Sequence, residues 1–294
     1  MLLGCLMGGA IGDAIGSRYE GQTTVLTIDF DTPGYITDDT QLTLATCESI
    51  LETKSVSPAA IAAKMLDWYN KRKLTGLGSS TLKALRDLQV GAHWALSGRS
   101  GEYAAGNGAA MRIAPLAFFV DATTQQQLIR DVCIITHKND EAYVGCLAII
   151  HALQLTMIAN PLLDKSLIDH IITYLPDTSV RDNLQKLSYN PQATIRDAAG
   201  LVGTSGHVVQ SVPFAIFASQ KIAETSFENI ISEIIRCGGD TDTNASIAGQ
   251  IMGARIGANG FSPTALSAFN QLNESQHIRL LAAELSYSLP SHLK

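Results

Sequence analysis

The amino-acid sequence predicts an all-α protein, and three observations lead to this fold class. Apolar residues recur at helical spacing over most of the 294 residues. Residues that commonly cap helices stand at the ends of most of these segments. Residues 25–30 are the only strand-like stretch, and no part of the chain alternates helix with strand, which disfavours a Rossmann or barrel architecture.

Helices are predicted along nearly the whole chain. In order, the segments with helix-like spacing are residues 3–17, 40–53, 58–71, 80–96, 108–119, 125–136, 140–159, 162–175, 211–222, 226–237, 243–256 and 263–272. Residues 176–206 are more polar and contain prolines and glycines, so we interpret them as a loop-rich excursion. Because apolar helices resume on both sides, residues 1–294 are predicted to form a single domain.

Composition and charge exclude several classes of protein. Hydrophobic residues make up 46% of the chain and charged residues 16%, which favours a sizeable buried core over disorder. The net charge of −6, without a cluster of Lys and Arg, argues against a nucleic-acid partner. The five cysteines share no C-x-x-C spacing and lie mostly in apolar segments, as expected of reduced thiols in the cytosol.

The apolar first residues do not predict a signal peptide. No basic residue precedes them, and Asp13 interrupts the run before a cleavage site could follow. No run reaches the ~18 apolar residues that are needed to span a bilayer. We therefore expect a soluble, cytoplasmic protein with no membrane partner, and we expect it to be a monomer.

Two predicted helices carry glycine at every fourth position. These are Gly4, Gly8, Gly12 and Gly16 in the first helix, and Gly249, Gly253 and Gly257, after Ala245, in the other. Glycine within a helix costs up to about 1 kcal/mol per position relative to alanine, so close backbone packing of the two helices is the expected compensation. This packing would bring Asp13 near Asp240 and Asp242.

Two acidic clusters stand where helices are predicted to begin. The first is Thr37-Asp38-Asp39-Thr40, and the second is Gly238-Gly239-Asp240-Thr241-Asp242-Thr243-Asn244. Helix capping explains either cluster taken alone. Together the clusters supply an oxygen-rich ligand set that suits Mg²⁺, Mn²⁺ or Ca²⁺ rather than zinc, and a bound cation would offset the repulsion among the carboxylates.

A third polar segment is Ala-Gly-Asn-Gly-Ala-Ala-Met-Arg at residues 105–112. Small residues that lead into a helix expose backbone N–H groups, which suit phosphate or another anion, although a turn with a cap is the simpler explanation of the segment taken by itself. His137 stands at a predicted helix end, where a lone histidine is more often a cap than a catalyst. Residues 203–207 lack the spacing of a nucleophile elbow, so a serine hydrolase is not supported.

In this order the segments resemble the ADP-ribosylglycohydrolase family, over residues 3 to about 258. The matching stretches are Gly8-Gly9-Ala10-Ile11-Gly12-Asp13-Ala14-Ile15-Gly16 with Glu20, Thr37-Asp38-Asp39-Thr40-Gln41, Gly106-Asn107-Gly108-Ala109-Ala110-Met111-Arg112, Thr136-His137, Gly206-His207-Val208-Val209 with Pro213, and Gly238-Gly239-Asp240-Thr241-Asp242-Thr243. The resemblance implies a compact, orthogonal multi-helix all-α fold with a central binuclear metal cleft. It also implies two divalent metal ions, Mg²⁺ or Mn²⁺, as cofactors.

The resemblance assigns roles to individual residues. It implies metal ligands at Thr37, Asp38, Asp39, Asp240, Asp242 and Thr243. It implies substrate contacts at Gly106, Asn107, Gly108, Ala109, Ala110, Met111, His137, Ser205, Gly206 and His207. It implies catalytic roles for Glu20, Asp38, Asp39 and Asp240.

The sequence departs from the family pattern after His137. It reads Lys138-Asn139-Asp140 where relatives often carry a proline, so the shape of this rim of the cleft is left open. The chain also begins directly at the first predicted helix.

The resemblance implies a metal-dependent hydrolase that removes ADP-ribose from modified protein side chains, with arginine as the expected acceptor. Its partner would be an ADP-ribosylated protein and its product ADP-ribose. Cleavage at the ribose anomeric carbon passes through an oxocarbenium-like state, which needs a held ribose and an activated water. Two alternatives remain: a hydrolase of another ADP-ribosyl linkage (to serine or a small molecule), and a non-catalytic relative that binds ADP-ribose.

Overall fold

A computed structural model describes residues 1–22, 25–158 and 167–289, and in them the chain is predominantly helical, as the sequence predicts. The α-helices are α1 (Leu2–Gly16), α2 (Asp38–Thr53), α3 (Pro58–Asn70), α4 (Ser79–Gln89), α5 (Gln126–Ile134), α6 (Asp140–Met157), α7 (Leu167–Tyr174), α8 (Ser179–Ser188), α9 (Ile195–Val202), α10 (Val208–Gln220), α11 (Phe227–Cys237), α12 (Thr241–Ile256), α13 (Pro263–Gln271) and α14 (Ser275–Ser288). Two short strands, β1 (Arg99–Ser100) and β2 (His137–Lys138), pair in parallel.

Helices α1 and α12 pack backbone to backbone, which confirms the prediction made from the glycine spacing. A Cβ atom at Gly8 would overlap the carbonyl oxygen of Gly249, and one at Gly253 would overlap that of Gly4. Any side chain larger than hydrogen would therefore separate the two helices. The loss of helix propensity at the glycines is offset by this close contact.

The packing of α1 against α12 places the ends of both helices at one point. The Thr241 hydroxyl at the start of α12 donates a hydrogen bond to the Gly16 carbonyl at the end of α1, at 2.9 Å. Asp13, fully buried one turn earlier in α1, accepts hydrogen bonds from Thr37 and Thr40 at the start of α2. Three helix termini therefore meet around Asp13.

The buried apolar side chains form one cluster that extends from Leu2 to Leu289. The cysteines are free thiols, as expected, and four of the five are buried. Within the described ranges, no helix combines the length and the apolar character needed to cross a bilayer. The single-domain assignment stays a prediction.

The predicted helix at residues 108–119 is wrong in its first half. Only Ala114–Phe118 is helical, as a 3₁₀ turn. In an α-helix the Met111 carbonyl would accept a hydrogen bond from the N–H of residue 115, but Pro115 has none. The Gln250 side chain donates to the Met111 carbonyl instead, at 2.8 Å, and so holds this segment as an irregular loop.

The interpretation of residues 176–206 as loop-rich is also wrong, because they contain α8 and α9. Both helices have an N-cap threonine, and at α9 Thr194 and Asp197 form a reciprocal capping box. Val180, Leu184 and Leu187 are buried at helical spacing in α8. The capping threonines and the helical spacing are visible in the sequence, but the polar faces of these short helices make the segment resemble a loop.

Other differences are smaller. Residues 25–30 form no strand, because no described strand lies beside them to pair with. Side chains bond this backbone instead, and the Tyr19 hydroxyl accepts from the Asp29 N–H at 2.9 Å. Helix α4 ends at Gln89 rather than residue 96, just before Gly91, which has a φ of +91°. Helix α14 was not predicted. The predicted end at residue 159 and start at residue 162 lie outside the described residues.

Replacing Gly8 by alanine should reduce the free energy of unfolding by about 1–3 kcal/mol or more, because the added Cβ overlaps the α12 backbone. The matched control is Gly200→Ala in α9, where nothing lies within 4 Å of the added Cβ. Helix propensity should make that control neutral or up to about 1 kcal/mol more stable. Urea denaturation measures both, and equal stabilities for the two variants would contradict the close packing.

Candidate functional site

The two acidic clusters meet in space. The Thr243 hydroxyl of the second cluster donates to Asp39 Oδ2 of the first, at 3.1 Å. Carboxylate oxygens of Asp13, Asp39 and Asp242 lie within 4.8 Å of one another. A second group with the same spacing contains Asp242, Asp240 and Glu20, so that Asp242 joins the two groups.

Local structure explains why carboxylates are tolerated here. Asp38 and Asp39 occupy the first turn of α2, and Asp242 occupies the first turn of α12. The N-terminus of a helix carries partial positive charge and unpaired N–H groups, which stabilise nearby anions. Thr37 is the N-cap of α2, and its hydroxyl accepts from the Asp39 N–H at 3.3 Å.

Asp13 is a site residue that the resemblance did not assign as a ligand. Its carboxylate accepts from the Thr37 N–H at 2.9 Å, from the Thr37 hydroxyl at 2.7 Å and from the Thr40 N–H at 3.1 Å. These donors occupy both of its oxygens, so Asp13 holds the start of α2 in place. A carboxylate within an otherwise apolar helix was the sequence signal for it.

Burial and mutual repulsion raise the pKa of the clustered carboxyls. Burial raises the pKa of Asp13 to about 6, although hydrogen bonds from Thr40 and Thr37 oppose the shift. Burial, followed by the charge of Asp13, raises the pKa of Asp38 to about 7. For Asp242, burial and then the hydrogen bond and charge of Asp240 raise the pKa to about 9. The charged forms of these side chains therefore need a compensating positive charge.

The same cluster fits a divalent cation. Asp39 is buried, its pKa is raised well above the usual value first by burial and then by four neighbouring carboxylates, and its Oδ1 has no hydrogen-bond partner in the described chain. An unpartnered buried carboxylate oxygen among other carboxylates is the environment that a hard cation satisfies.

Two loops, around Asn107 and Gly206, form the opposite wall, and hydrogen bonds join them. The Asn107 N–H donates to the Gly206 carbonyl at 3.1 Å, and the Val208 N–H donates to the Ala105 carbonyl at 2.9 Å. The Asn107 side chain donates to Asp240 Oδ2 at 2.9 Å, so it orients this carboxylate. A Cβ at Gly206 would lie 2.8 Å from Asp240 Oδ2, so a larger residue there would displace this carboxylate.

The walls enclose a cleft of about 350 Å³. The residues that line it are Glu20, Thr37, Asp38, Asp39, Gly76, Gly78, Ser79, Ser80, Thr81, Tyr103, Gly106, Asn107, Gly108, Met111, His137, Gly206, Asp240, Asp242 and Thr243. All six residues implied as metal ligands are among them. Glu20 is exposed, whereas Asp38 and Asp39 are buried at the bottom.

Not every implied substrate-contact residue lines the cleft. Ala109 and Ala110 are fully buried in the apolar cluster beneath the loop. Ser205 is exposed and bonds Gln210 at 2.7 Å, and the exposed His207 caps α10 through Nδ1. The other implied contacts, at Gly106, Asn107, Gly108, Met111, His137 and Gly206, do line it.

Helix α4 contributes a part of the cleft that the sequence analysis missed. Its first residues lie on the lining, and its N-cap Gly78 has no side-chain capping bond. Ser80 and Thr81 are 6% and 1% exposed, and neither hydroxyl has a hydrogen-bond partner in the described chain. The signal was the Gly76-Leu-Gly78 spacing ahead of Ser-Ser-Thr, which resembles the small-residue pattern at residues 106–108.

His137 lies under the glycine loop. A Cβ on Gly108 would lie 2.9 Å from His137 Cε1, so glycine allows the loop to rest directly on the ring. Burial, and then the charges of Arg112 and Arg99, lower the pKa of His137 to about 3. The ring is therefore neutral at ordinary pH and cannot act there as a cationic partner for an anion.

Comparisons with known proteins agree with this site. The chain belongs to the ADP-ribosylglycohydrolase family, whose model matches residues 2–290, and this confirms the resemblance seen in the sequence. Membership supports ADP-ribosylglycohydrolase activity, and the family is metal-dependent.

Individual relatives cover most of the chain. An uncharacterized protein of Archaeoglobus fulgidus is 30% identical over an alignment of 272 positions that covers 85% of this chain and 86% of the relative. The human ADP-ribosylhydrolase ARH3 is 27% identical over 86% of this chain and 85% of its own length. The ADP-ribosylarginine hydrolase Tri1 of Pseudomonas putida is 28% identical over 96% of this chain and 76% of its own length.

A solved chain from an ADP-ribosylglycohydrolase-related protein complex has the same fold. It matches with a TM-score of 0.76 and 24% sequence identity, over 97% of this chain and 96% of that chain. This likeness confirms the all-α fold class.

The raised carboxyl pKa values predict how the stability of the metal-free protein depends on pH. Asp242 keeps its proton in the folded state up to about pH 9 but is ionised in the unfolded chain above about pH 4. The folded state therefore binds more protons between pH 7 and 8, and the free energy of unfolding should fall as pH rises. The slope is up to about 1.4 kcal/mol per pH unit for each such carboxyl.

Urea denaturation at pH 7.0, 7.5 and 8.0 in the presence of a chelator measures this slope. Asp242→Asn should reduce it, and saturating Mg²⁺ should bring the slope close to zero, because the carboxyls are then ionised in both the folded and the unfolded state. Stability that rises with pH in the chelated wild type would contradict the cause given for the shifts.

Proposed function

We propose that the protein is a metal-dependent hydrolase that removes ADP-ribose from modified protein side chains. The observation that carries the proposal is the placement of a buried carboxylate cluster and a glycine loop on facing walls of one cleft. The cluster suits a divalent cation, and the loop suits a phosphate group. The volume of the cleft, about 350 Å³, lies in the range of small-molecule sites.

The metal ions would be held at the starts of α2 and α12. The proposed ligands are Thr37, Asp38, Asp39, Asp240, Asp242 and Thr243. Two groups of carboxylates that share Asp242 support a pair of ions. Bound there, Mg²⁺ or Mn²⁺ supplies Lewis acidity toward ribose hydroxyls and water.

The diphosphate of ADP-ribose would lie between the glycine loop and the start of α4. Without side chains, Gly106 and Gly108 leave backbone N–H groups accessible to an anion. On the opposite side, the first N–H groups of α4 and the unpartnered hydroxyls of Ser80 and Thr81 face the same space. Neutral donors on both sides bind the diphosphate without a basic residue, in a protein whose net charge is −6.

Glu20 is placed to act on the attacking water. Its carboxylate lies within 4.8 Å of ligand atoms of Asp240 and Asp242, and the side chain is exposed at the mouth of the cleft. A carboxylate in that position can orient a water molecule or accept its proton as the glycosidic bond breaks.

Arginine is the acceptor that we favour. The relative from Pseudomonas putida is named an ADP-ribosylarginine hydrolase. An arginine-linked substrate presents a cationic leaving group, which the exposed Glu20 and the partly exposed Asp240 would attract at the cleft mouth.

The test is a panel of ADP-ribosylated arginine, serine and small-molecule substrates, assayed with Mg²⁺ and with a chelator. We expect Mg²⁺-dependent release of ADP-ribose from at least one substrate. Asp240→Asn should abolish turnover while helix content and the melting temperature change little, because it removes a charged ligand rather than a core side chain. Binding of ADP-ribose without turnover of any substrate would identify a non-catalytic relative, and full activity with the chelator would exclude the metal.

Glu20→Gln should leave the dissociation constant of ADP-ribose within about twofold of wild type and reduce kcat by roughly 10²-fold or more, since glutamine cannot accept the proton. Calorimetry and initial rates separate the two effects. Glu102→Gln, at another exposed acid near the glycine loop, is the matched control and should leave both unchanged. A wild-type rate for Glu20→Gln would remove Glu20 from the mechanism.

Arginine-linked ADP-ribosyl peptide should be hydrolysed faster than a serine-linked peptide when the two compete at equal concentration. Mass spectrometry of the mixture gives the ratio of kcat/KM values directly. Faster release from serine would refute the acceptor while leaving the glycohydrolase proposal intact.

A further inference from the structure

Arg112 lies fully buried behind the glycine loop, and no carboxylate pairs with it in the described chain. Its Nη2 donates to the Val132 carbonyl at 3.1 Å and to the Thr136 hydroxyl oxygen at 3.0 Å. Its Nε and Nη1 have no partner among the described residues. Burying a guanidinium with so few partners is unfavourable, so its position calls for a functional explanation.

The contact from Arg112 leaves the Thr136 hydroxyl proton free for a different acceptor. A guanidinium only donates, so Thr136 Oγ1 accepts at that bond and keeps its own proton for another acceptor. Thr136 is fully buried, and the acceptor within reach is His137 Nδ1, at 2.8 Å. An unused hydroxyl proton at this depth would be unfavourable by about 1–3 kcal/mol.

With His137 Nδ1 as the acceptor of this proton, the ring's own proton would lie on Nε2. Burial and the neighbouring Arg112 and Arg99 keep the ring neutral, so it carries a single proton. Nε2 lies 3.3 Å from the Cβ position of either Gly106 or Gly108, on the side of the ring that faces the cleft. It has no hydrogen-bond partner in the described part of the chain.

We propose that Arg112 and Thr136 are positioning residues that fix His137 as the neutral Nε2–H tautomer, so that the ring donates a hydrogen bond to an oxygen of the bound ligand. The identity of that ligand as ADP-ribose rests on the function proposed above. The tautomer itself is a property of the free protein, and this allows the two ideas to be tested separately.

The surroundings of the ring support a single, fixed state. Arg99 on β1 lies opposite His137 in the strand pairing, and Arg112 is linked to the ring through Thr136. From α5, the Cys133 thiol donates to the His137 carbonyl at 3.4 Å, which holds the backbone. Lys138 follows on β2 and is only partly buried. No acid among the described residues bonds the ring, so nothing favours an imidazolium.

The first experiment determines the tautomer in the free protein. Long-range ¹H–¹⁵N correlation spectra distinguish protonated from unprotonated imidazole nitrogens, and the spectrum of His137→Gln assigns the signal. We expect Nε2 protonated and Nδ1 unprotonated, without titration between pH 5 and 8. A proton on Nδ1, or an imidazolium at pH 7, would overturn the proposal whatever the ligand is.

The second experiment removes the hydrogen-bond relay from Arg112 through the Thr136 hydroxyl to His137, without changing the volume of the Thr136 side chain. Thr136→Val should shift the ring toward the Nδ1–H tautomer and weaken ADP-ribose binding by roughly 2–10-fold, as expected for one hydrogen bond. Thr136→Ser keeps the hydroxyl and should restore both the spectrum and the dissociation constant. Thermal melting confirms that each variant is folded, and the restored spectrum of the serine variant separates the relay from general destabilisation.

The outcomes distinguish this inference from the proposed function. Equal dissociation constants for Thr136→Val and wild type would overturn the role of the relay in binding. If wild-type protein does not bind ADP-ribose at all, the proposed function fails, while the spectra of the free protein still decide whether Arg112 and Thr136 fix the tautomer.

Discussion

The backbone contact between α1 and α12 determines the geometry of the cleft. Because glycines let the two helices approach without side chains between them, the end of one and the start of the other are fixed relative to each other. Asp13 is carried on α1 and Asp242 on α12, so their separation follows from this contact. Helix α2 then joins through the hydrogen bonds that Thr37 donates to Asp13.

The carboxylates held by this contact repel one another, and the surrounding structure compensates only in part. Helix N-termini and threonine hydroxyls stabilise some oxygens, but Asp39 Oδ1 remains without a partner, and the pKa values of the cluster are raised. The fold therefore maintains a site whose charged form is incomplete without a cation. Stability and function are coupled here, since the same repulsion that weakens the metal-free protein favours metal binding.

The wall that faces the carboxylates is built differently. It offers neutral donors: the N–H groups beside Gly106 and Gly108, the hydroxyls of Ser80 and Thr81, and the His137 ring. The charge of Arg112 is held behind this wall, where it acts through Thr136 rather than by direct contact with a ligand. With the proposed metal ions on one wall and neutral donors on the other, the cleft would suit the anionic diphosphate and the cationic acceptor that we propose for it.

The sequence by itself determined the helical fold class, the glycine contact and the two acidic clusters, because each is a local pattern with a short-range physical cause. It did not reveal that Pro115 and Gln250 interrupt the helix after the glycine loop, since Gln250 is distant in the chain. The tertiary structure alone showed that Thr81 lines the cleft and that Asp13 bonds the start of α2. It also decided how Arg112 reaches His137, because burial and the direction of a hydrogen bond depend on residues that meet only when the helices pack.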